Sequence, residues 1–201
     1  MLDGWARRKI EPAVDAAARQ IARSGISANG MTLLAFALGI ISAAALAYGW
    51  YLTGLALLLA SRLGDGLDGA LARLNGKTDF GGFLDIVLDF GVYGAIPLGF
   101  AFADPSANAL AAAALIASFY VNGASFLAFS VLAEKNRLAT DIRGQKSIYF
   151  TTGLAEAGET LAIFAAACLF PTAFPWLASA FAGICLYTAL SRIMLARRTF
   201  G

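Results

Sequence analysis

The chain has 201 residues, of which 59% are hydrophobic and only 14% are charged. Soluble domains carry about 25% charged residues, so this composition indicates an integral membrane protein and excludes an ordinary soluble domain. Histidine is absent and only two cysteines are present. We therefore expect no histidine acid–base chemistry, no zinc site and no disulfide framework.

Residues 1–25 predict an amphipathic helix that lies in the membrane interface. Basic and apolar residues alternate through this segment, and such a helix turns its cations toward anionic lipid headgroups. The alternative is an N-terminal extension with a solvated charged face. We expect no removable signal peptide, because no short basic region precedes the first long apolar run.

Six apolar segments follow, each long enough to cross about 30 Å of hydrocarbon. They cover residues 31–48, 51–74, 80–103, 108–132 and 148–170, and a last segment from the turn at 171–175 to about 194. Turns are predicted at Gly49-Trp50 and Asp104-Pro105-Ser106, and a charged loop at 133–147. The sequence thus predicts an all-α integral membrane protein with one domain over 1–201. An interfacial helix (1–25) would precede a bundle of six transmembrane helices (31–196).

The positions of the basic residues predict how this bundle is oriented. All 15 Lys and Arg lie in the N-terminal segment, around residues 62–77, in the 133–147 loop or after residue 191. The turns at 49–50, 104–107 and 171–175 carry none. Because cytoplasmic loops are enriched in Lys and Arg, we expect both termini on the cytoplasmic side of a bacterial inner membrane.

Four aspartates stand out from the apolar background of the second and third segments: Asp65, Asp68, Asp85 and Asp89. Their spacings of three and four residues place each pair on one face of its helix. Carboxylates at this depth need partners, and Arg62 and Arg73 could neutralise two of them in structural ion pairs. We expect Mg²⁺ or Mn²⁺ to balance the rest, in a two-metal site of the kind that serves phosphoryl chemistry.

These aspartates belong to a longer pattern, Asp65-x2-Asp68-Gly69-x2-Ala72-Arg73-x7-Gly81-x3-Asp85-x3-Asp89. It resembles the signature of the CDP-alcohol phosphotransferase family, with every defining residue present. Six spans and an amphipathic N-terminal helix are also features of that family, so the likeness covers nearly the whole chain. The resemblance is strongest to a group of small family members from bacterial inner membranes. The resemblance implies transfer of a phosphatidyl group from a CDP-lipid, normally CDP-diacylglycerol, to a small alcohol, with release of CMP, in phospholipid synthesis.

The resemblance also implies roles for single residues. It makes Asp65, Asp68 and Asp85 metal ligands, and Asp89 both a ligand and the general base. It assigns contacts with the CDP moiety to Asn29, Thr32, Gly69, Arg73 and Thr78, although Ala28 stands where the family usually has proline. The resemblance further implies that the protein contacts membrane lipids and forms a homodimer. We expect no nucleic-acid partner.

Candidate residues for binding the acceptor are charged side chains in the cytoplasmic loops and near the ends of the apolar segments. Four cations suit a phosphorylated acceptor such as glycerol 3-phosphate or inositol phosphate: Arg137, Arg143, Lys146 and Arg192. The alternative is ordinary cytoplasmic loop charge. Glu156 and Glu159 would bind acceptor hydroxyls or, alternatively, form salt bridges within the bundle. Asn122 and Ser125 are expected to join helices by hydrogen bonds.

Other classes of protein would use the same acids differently. A divalent-cation transporter is the main alternative, but it would place acids near the bilayer midplane and continue polar residues to the far side. A membrane prenyltransferase would bind a diphosphate through Mg²⁺, yet it does not call for the DGxxAR core and normally needs more spans. A non-catalytic lipid-binding relative would not need the complete motif.

Overall fold

A computed structural model describes residues 14–136 and 157–201. Every regular element in these two ranges is helical, which confirms the all-α prediction for this part of the chain. Residues 14–22 are helical and are called α1. The other elements are α2 (Ala28–Ala47), α3 (Tyr51–Asn75), α4 (Asp79–Ala103), α5 (Pro105–Lys135), α6 (Ala157–Leu169), a short 3-10 helix (Pro171–Ala173) and α7 (Phe174–Phe200).

Four of the described segments are long and apolar enough to cross a membrane: α2, α4, α5 and Pro171–Phe200. Helix α3 has 25 residues but carries two aspartates and two arginines between Arg62 and Arg73. Helix α6 has 13 residues over Ala157–Leu169. The described residues therefore contain four candidate membrane spans, while the count of six remains a prediction. The predicted 133–147 loop begins later than expected, since α5 continues to Lys135.

Polar caps and glycine turns set the helix ends. Ser27 Oγ accepts a hydrogen bond from Gly30 N at 3.1 Å, and Thr78 Oγ1 accepts one from Gly81 N at 3.0 Å, so α2 and α4 begin with side-chain caps. Gly49 has a φ of 75°, which turns the chain between α2 and α3 as predicted.

Asp104 turns the chain between α4 and α5, also as predicted. Its carboxylate accepts hydrogen bonds from Ser106 Oγ at 2.7 Å and Ala107 N at 3.1 Å. The hydrogen bond from Ser106, followed by that from Ala107, lowers the pKa of Asp104 below its ordinary value. Pro105 is the first residue of α5, where the missing N–H of proline costs no helical hydrogen bond.

The chain divides after Ala109 into two compact units. In the first, α2 packs closely against both α3 and α4. A Cβ on Gly99 would lie 2.5 Å from Ala43 O, so the backbones of α4 and α2 meet directly. On the other side, the buried Ser61 donates from Oγ to Ala35 O at 2.7 Å. Small residues allow this approach, which holds α3 and α4 against one central helix.

Helix α1 contributes apolar side chains to the same unit. Ala18 is fully buried and forms a cluster with Met31, Ala70 and Leu71 of α2 and α3. The described part of the predicted interfacial helix therefore packs against protein on this face. Residues 1–13 lie outside the described ranges, so the interfacial position remains a prediction.

The second unit has an aromatic core between α5, α6 and α7. The ring of Phe119 meets those of Phe164 and Phe181 edge to face, with centroids 6.2 and 6.1 Å apart. Cys168 and Cys185 are buried free thiols.

Candidate active site

Three of the four motif aspartates converge. Asp65 and Asp68 lie one turn apart on α3, and Asp85 lies in the second turn of α4. One carboxylate oxygen from each lies within 4.8 Å of the others. The common packing of α3 and α4 on α2 brings these two helices together, and the spacing of three residues turns both α3 acids toward α4.

The chemistry of this cluster fits a hard divalent cation. Asp68 is 7% exposed, and its Oδ2 is buried without a hydrogen-bond partner among the described residues. Such an oxygen is costly unless something satisfies it. A cation ligated by carboxylate oxygens would do so, and Mg²⁺ and Mn²⁺ prefer such ligands.

Asp89 has a different partner. It lies one turn beyond Asp85 on α4, and its Oδ1 accepts a hydrogen bond from Arg62 Nη1 at 2.6 Å. The same Nη1 lies 3.8 Å from Asp65 Oδ1. The structural ion pair considered from the sequence is therefore present between Arg62 and Asp89. Asp68 and Asp85 form no ion pair with Arg62, so their charges remain to be compensated by a bound cation.

Two of the residues assigned to the CDP moiety meet at the start of α4. A Cβ on Gly81 would lie 3.0 Å from both Asn29 Oδ1 and Thr78 Oγ1. Gly81 thus brings a carboxamide and a hydroxyl close together, at the first residues of α2 and α4. Thr32 is buried one turn further along α2, and its hydroxyl donates to Ala28 O at 3.0 Å.

The surface beside the acids is open at two glycines of α3. No described atom lies within 4 Å of a Cβ built on Gly66. At Gly69 the nearest atom is Arg73 Nη1, at 4.0 Å. Arg73 is an exposed cation, and its Nη2 donates to Asp15 Oδ1 of α1 at 3.0 Å. A bulky ligand can approach the helix backbone here, next to an arginine in a solvent-exposed ion pair.

Most of the residues proposed for the acceptor lie outside the described ranges: Arg137, Arg143, Lys146 and Glu156. Glu159 is exposed in the first turn of α6. Arg192 lies on α7 and is held by α5, since its Nη1 donates to Asn122 Oδ1 at 2.9 Å, Asn122 O at 3.0 Å and Ser125 Oγ at 2.6 Å. The expectation that Asn122 and Ser125 join helices is confirmed, and the residue that they hold is a proposed acceptor ligand.

Two contacts at the site were missed by the sequence reasoning. It considered Arg62 only as a general neutralising charge, and it did not consider Asp15 at all. Arg62 stands one turn before Asp65, so that spacing indicated a neighbour of Asp65. Its stronger contact with Asp89 joins two helices, and no local spacing predicts such a contact.

Comparison with known proteins places this site in a family. The family model of CDP-alcohol phosphatidyltransferases matches residues 26–195. The chain is 44% identical over 193 residues to inner membrane protein YnjF of Escherichia coli, covering 96% of this chain and 94% of that protein. It is 29% identical over 170 residues to archaetidylinositol phosphate synthase of Pyrococcus horikoshii, covering 82% and 80% of the two chains.

The fold is also similar to that of a solved enzyme, the phosphatidylinositol phosphate synthase of Mycobacterium tuberculosis. Its structure in complex with manganese and citrate matches with a TM-score of 0.70 at 23% identity, covering 90% of this chain and 87% of that chain. Its structure with CDP-DAG bound matches with a TM-score of 0.69 at 22% identity, covering 90% and 92%. Because the family model spans most of the sequence and a bacterial relative aligns over nearly all of it, the chain belongs to the CDP-alcohol phosphatidyltransferase family, as its Asp65–Asp89 motif predicted.

Proposed function

We propose that this membrane protein transfers a phosphatidyl group from CDP-diacylglycerol to the hydroxyl of a small phosphorylated alcohol, releasing CMP. The observation that carries the proposal is the convergence of Asp65, Asp68 and Asp85, with a buried Asp68 oxygen unpartnered among the described residues. The family match supports the reaction class. Nothing in these matches supports the alternative of a divalent-cation transporter.

The three converging aspartates would hold Mg²⁺ or Mn²⁺. When bound, such cations offset the negative charge of a diphosphate and of departing CMP. The manganese in the solved M. tuberculosis enzyme supports this class of cofactor. A second cation would need the fourth carboxylate, Asp89, as a further ligand.

The nucleotide end of the CDP-lipid would lie beside α3 and the first residues of α4. Asn29 and Thr78 offer a carboxamide and a hydroxyl that converge on Gly81. Gly69 leaves the backbone open to a bulky ligand, and Arg73 is an exposed guanidinium that could exchange Asp15 for a phosphate. The CDP-DAG bound by the M. tuberculosis enzyme supports a CDP-lipid substrate.

The acceptor must lose its hydroxyl proton as it attacks. The acceptor oxygen forms a bond to the β-phosphorus of the CDP-lipid, and the bond from this phosphorus to the oxygen bridging toward the α-phosphate breaks, so CMP leaves. Asp89 is the proposed base that takes the proton. It lies one turn from Asp85, so a proton acceptor would stand beside the metal ligands.

A phosphorylated polyol such as inositol phosphate is the acceptor that we favour. The P. horikoshii and M. tuberculosis relatives carry names of inositol phosphate enzymes. Arg192 has a guanidinium held by uncharged oxygens of Asn122 and Ser125, so its charge is available to a phosphate. We further propose that both termini and the active site lie on the cytoplasmic side of the inner membrane, as the distribution of Lys and Arg supports. A homodimer is proposed only from the resemblance to the family.

The test is a transfer assay on the purified full chain. Radiolabelled CDP-diacylglycerol is incubated with Mn²⁺ or Mg²⁺ and one of four alcohols: glycerol 3-phosphate, inositol phosphate, serine or glycerol. We expect CMP release and a labelled lipid with inositol phosphate, and neither product after chelation with EDTA. Absence of CMP release with every alcohol would overturn the proposed reaction. Release with glycerol 3-phosphate or serine alone would correct the acceptor.

A further inference from the structure

We infer that Arg62 is a positioning residue that competes with a second divalent cation for Asp89, so that the two cation positions of the acidic cluster differ in affinity. The inference rests on the proposed metal-dependent function. It adds a residue outside the family motif and an order of binding: one cation binds without substrate, and the second binds when the anionic CDP group arrives.

The geometry places one guanidinium nitrogen between two carboxylates. Arg62 Nη1 is 2.6 Å from Asp89 Oδ1 and 3.8 Å from Asp65 Oδ1. Ligand oxygens stand about 2.0–2.1 Å from Mg²⁺. Asp89 Oδ1 is already engaged by the guanidinium, so a cation that takes this oxygen as a ligand must bind close to the positive charge of Arg62. Asp68 and Asp85 make no such contact with Arg62, and their oxygens are already grouped with that of Asp65.

Charge favours the same order. With all four aspartates ionised and Arg62 in place, one divalent cation leaves the cluster with a single negative charge. A second divalent cation would reverse the sign of the cluster, and like charges at this distance repel strongly in a semi-buried site. The diphosphate of a CDP group supplies the missing negative charge. We therefore expect the second cation and the nucleotide to bind with positive coupling.

The surroundings hold Arg62 in this position. Its side chain is 13% exposed, and Nη2 donates to Ser61 Oγ at 3.1 Å. The guanidinium carbon also lies 5.8 Å from the centroid of the Tyr93 ring. The Arg62 Nε is buried with no hydrogen-bond partner among the described residues. A surface ion pair would dissociate readily, whereas this guanidinium has little room to leave Asp89.

A purely structural ion pair makes the opposite prediction for metal binding. If Arg62 only compensates the charge of Asp89, its removal should disorder the acidic cluster and weaken the binding of both cations. If Arg62 competes for Asp89, its removal should strengthen the binding of the second cation. Arg62→Gln keeps a polar side chain that can donate a hydrogen bond, but it removes the charge. Arg62→Lys keeps the charge, so it should keep the unequal affinities.

The experiment titrates Mn²⁺ into the detergent-solubilised full chain without substrate and measures free Mn²⁺ by electron paramagnetic resonance. For the wild-type protein we expect one tight ion and a second ion at least about tenfold weaker, the scale on which groups beside metal ligands alter affinity. In Arg62→Gln the second ion should bind about tenfold more tightly. Arg23→Gln removes an exposed charge of the first unit and serves as the matched control with wild-type titration.

A second measurement uses the wild-type protein alone, in case Arg62→Gln does not fold. Soluble CDP is added as a probe, and the affinity for the second Mn²⁺ should rise about tenfold or more, the scale of strong coupling between sites. Equal affinity for both ions in the wild-type protein, an Arg62→Gln protein with an unchanged or weaker second ion, or no response to CDP would each overturn the inference. Failure of the proposed function looks different, since it would appear as no Mn²⁺ binding or no CMP release at all.

Discussion

The close contact of α4 with α2 makes a quantitative prediction about Gly99. A Cβ on Gly99 would lie 2.5 Å from the backbone oxygen of Ala43. That oxygen belongs to a helix and cannot turn aside, so Gly99→Ala must push the two helices apart. Gly94 lies in the same helix, and no described atom is within 4 Å of its Cβ position. Gly94→Ala is therefore the matched control.

The magnitude follows from two opposing effects. Replacing glycine by alanine inside a helix gains about 1 kcal/mol at either position. Overpacking costs about 1–3 kcal/mol, and Gly99 falls at the upper end because its obstacle is backbone. The two variants should thus differ by about 2 kcal/mol or more in stability. At about 2–4 °C per kcal/mol for a chain of this size, Gly99→Ala should unfold about 4–8 °C below Gly94→Ala.

The assay is thermal unfolding of both variants in the same detergent, followed by loss of helical circular dichroism, with size-exclusion chromatography to check that each variant is monodisperse before heating. An unfolding temperature for Gly99→Ala equal to or above that of Gly94→Ala would refute the reasoning. It would mean that α2 and α4 do not approach each other as closely as the structure shows.

Three further predictions concern the acids. Asp68→Asn should weaken Mn²⁺ binding about tenfold or more, since it removes a ligand of the cluster, whereas Asp79→Asn, an exposed acid at the start of α4, should leave the Mn²⁺ titration unchanged. Asp89→Asn should abolish CMP release while CDP-lipid still binds, as an equilibrium binding assay would show, and near-normal product formation would remove Asp89 as the base. The capping hydrogen bonds hold the pKa of Asp104 below its ordinary value of about 3.9. The stabilisation they provide is therefore present above that pH and is lost as the pH falls through the lower folded-state pKa. The unfolding temperature of Asp104→Ala should change less than that of the wild-type protein over this acidic range.

Local chemistry explains why so much of the fold could be predicted. The turn at Gly49 was predicted from a residue that accepts positive φ, whereas the caps at Ser27 and Thr78 were not predicted and start α2 and α4 slightly before the apolar segments. The spacing of Asp65 and Asp68 placed both on one face of α3, because three residues are close to one helical turn. The family motif then linked these local features to a reaction.

Contacts between helices could not be predicted in the same way. Gly94 and Gly99 are equivalent residues in one apolar helix, and only the approach of α2 distinguishes them. Arg73 was assigned to the nucleotide, but its pairing with Asp15 depends on how α1 packs on α3. Neither contact has a signature in sequence spacing, since each depends on the rotation and distance of two separate helices.

The acidic cluster depends on both the sequence and the tertiary structure. The sequence by itself determined that four carboxylates lie near the ends of two apolar helices and that cations must compensate them, because the cost of burying charge depends on residue type and depth. Tertiary structure alone decided that Asp65, Asp68 and Asp85 share one position while Asp89 faces Arg62. The physical reason is that a hydrogen bond of 2.6 Å requires one particular rotation of α3 against α4, and packing on α2 selects it.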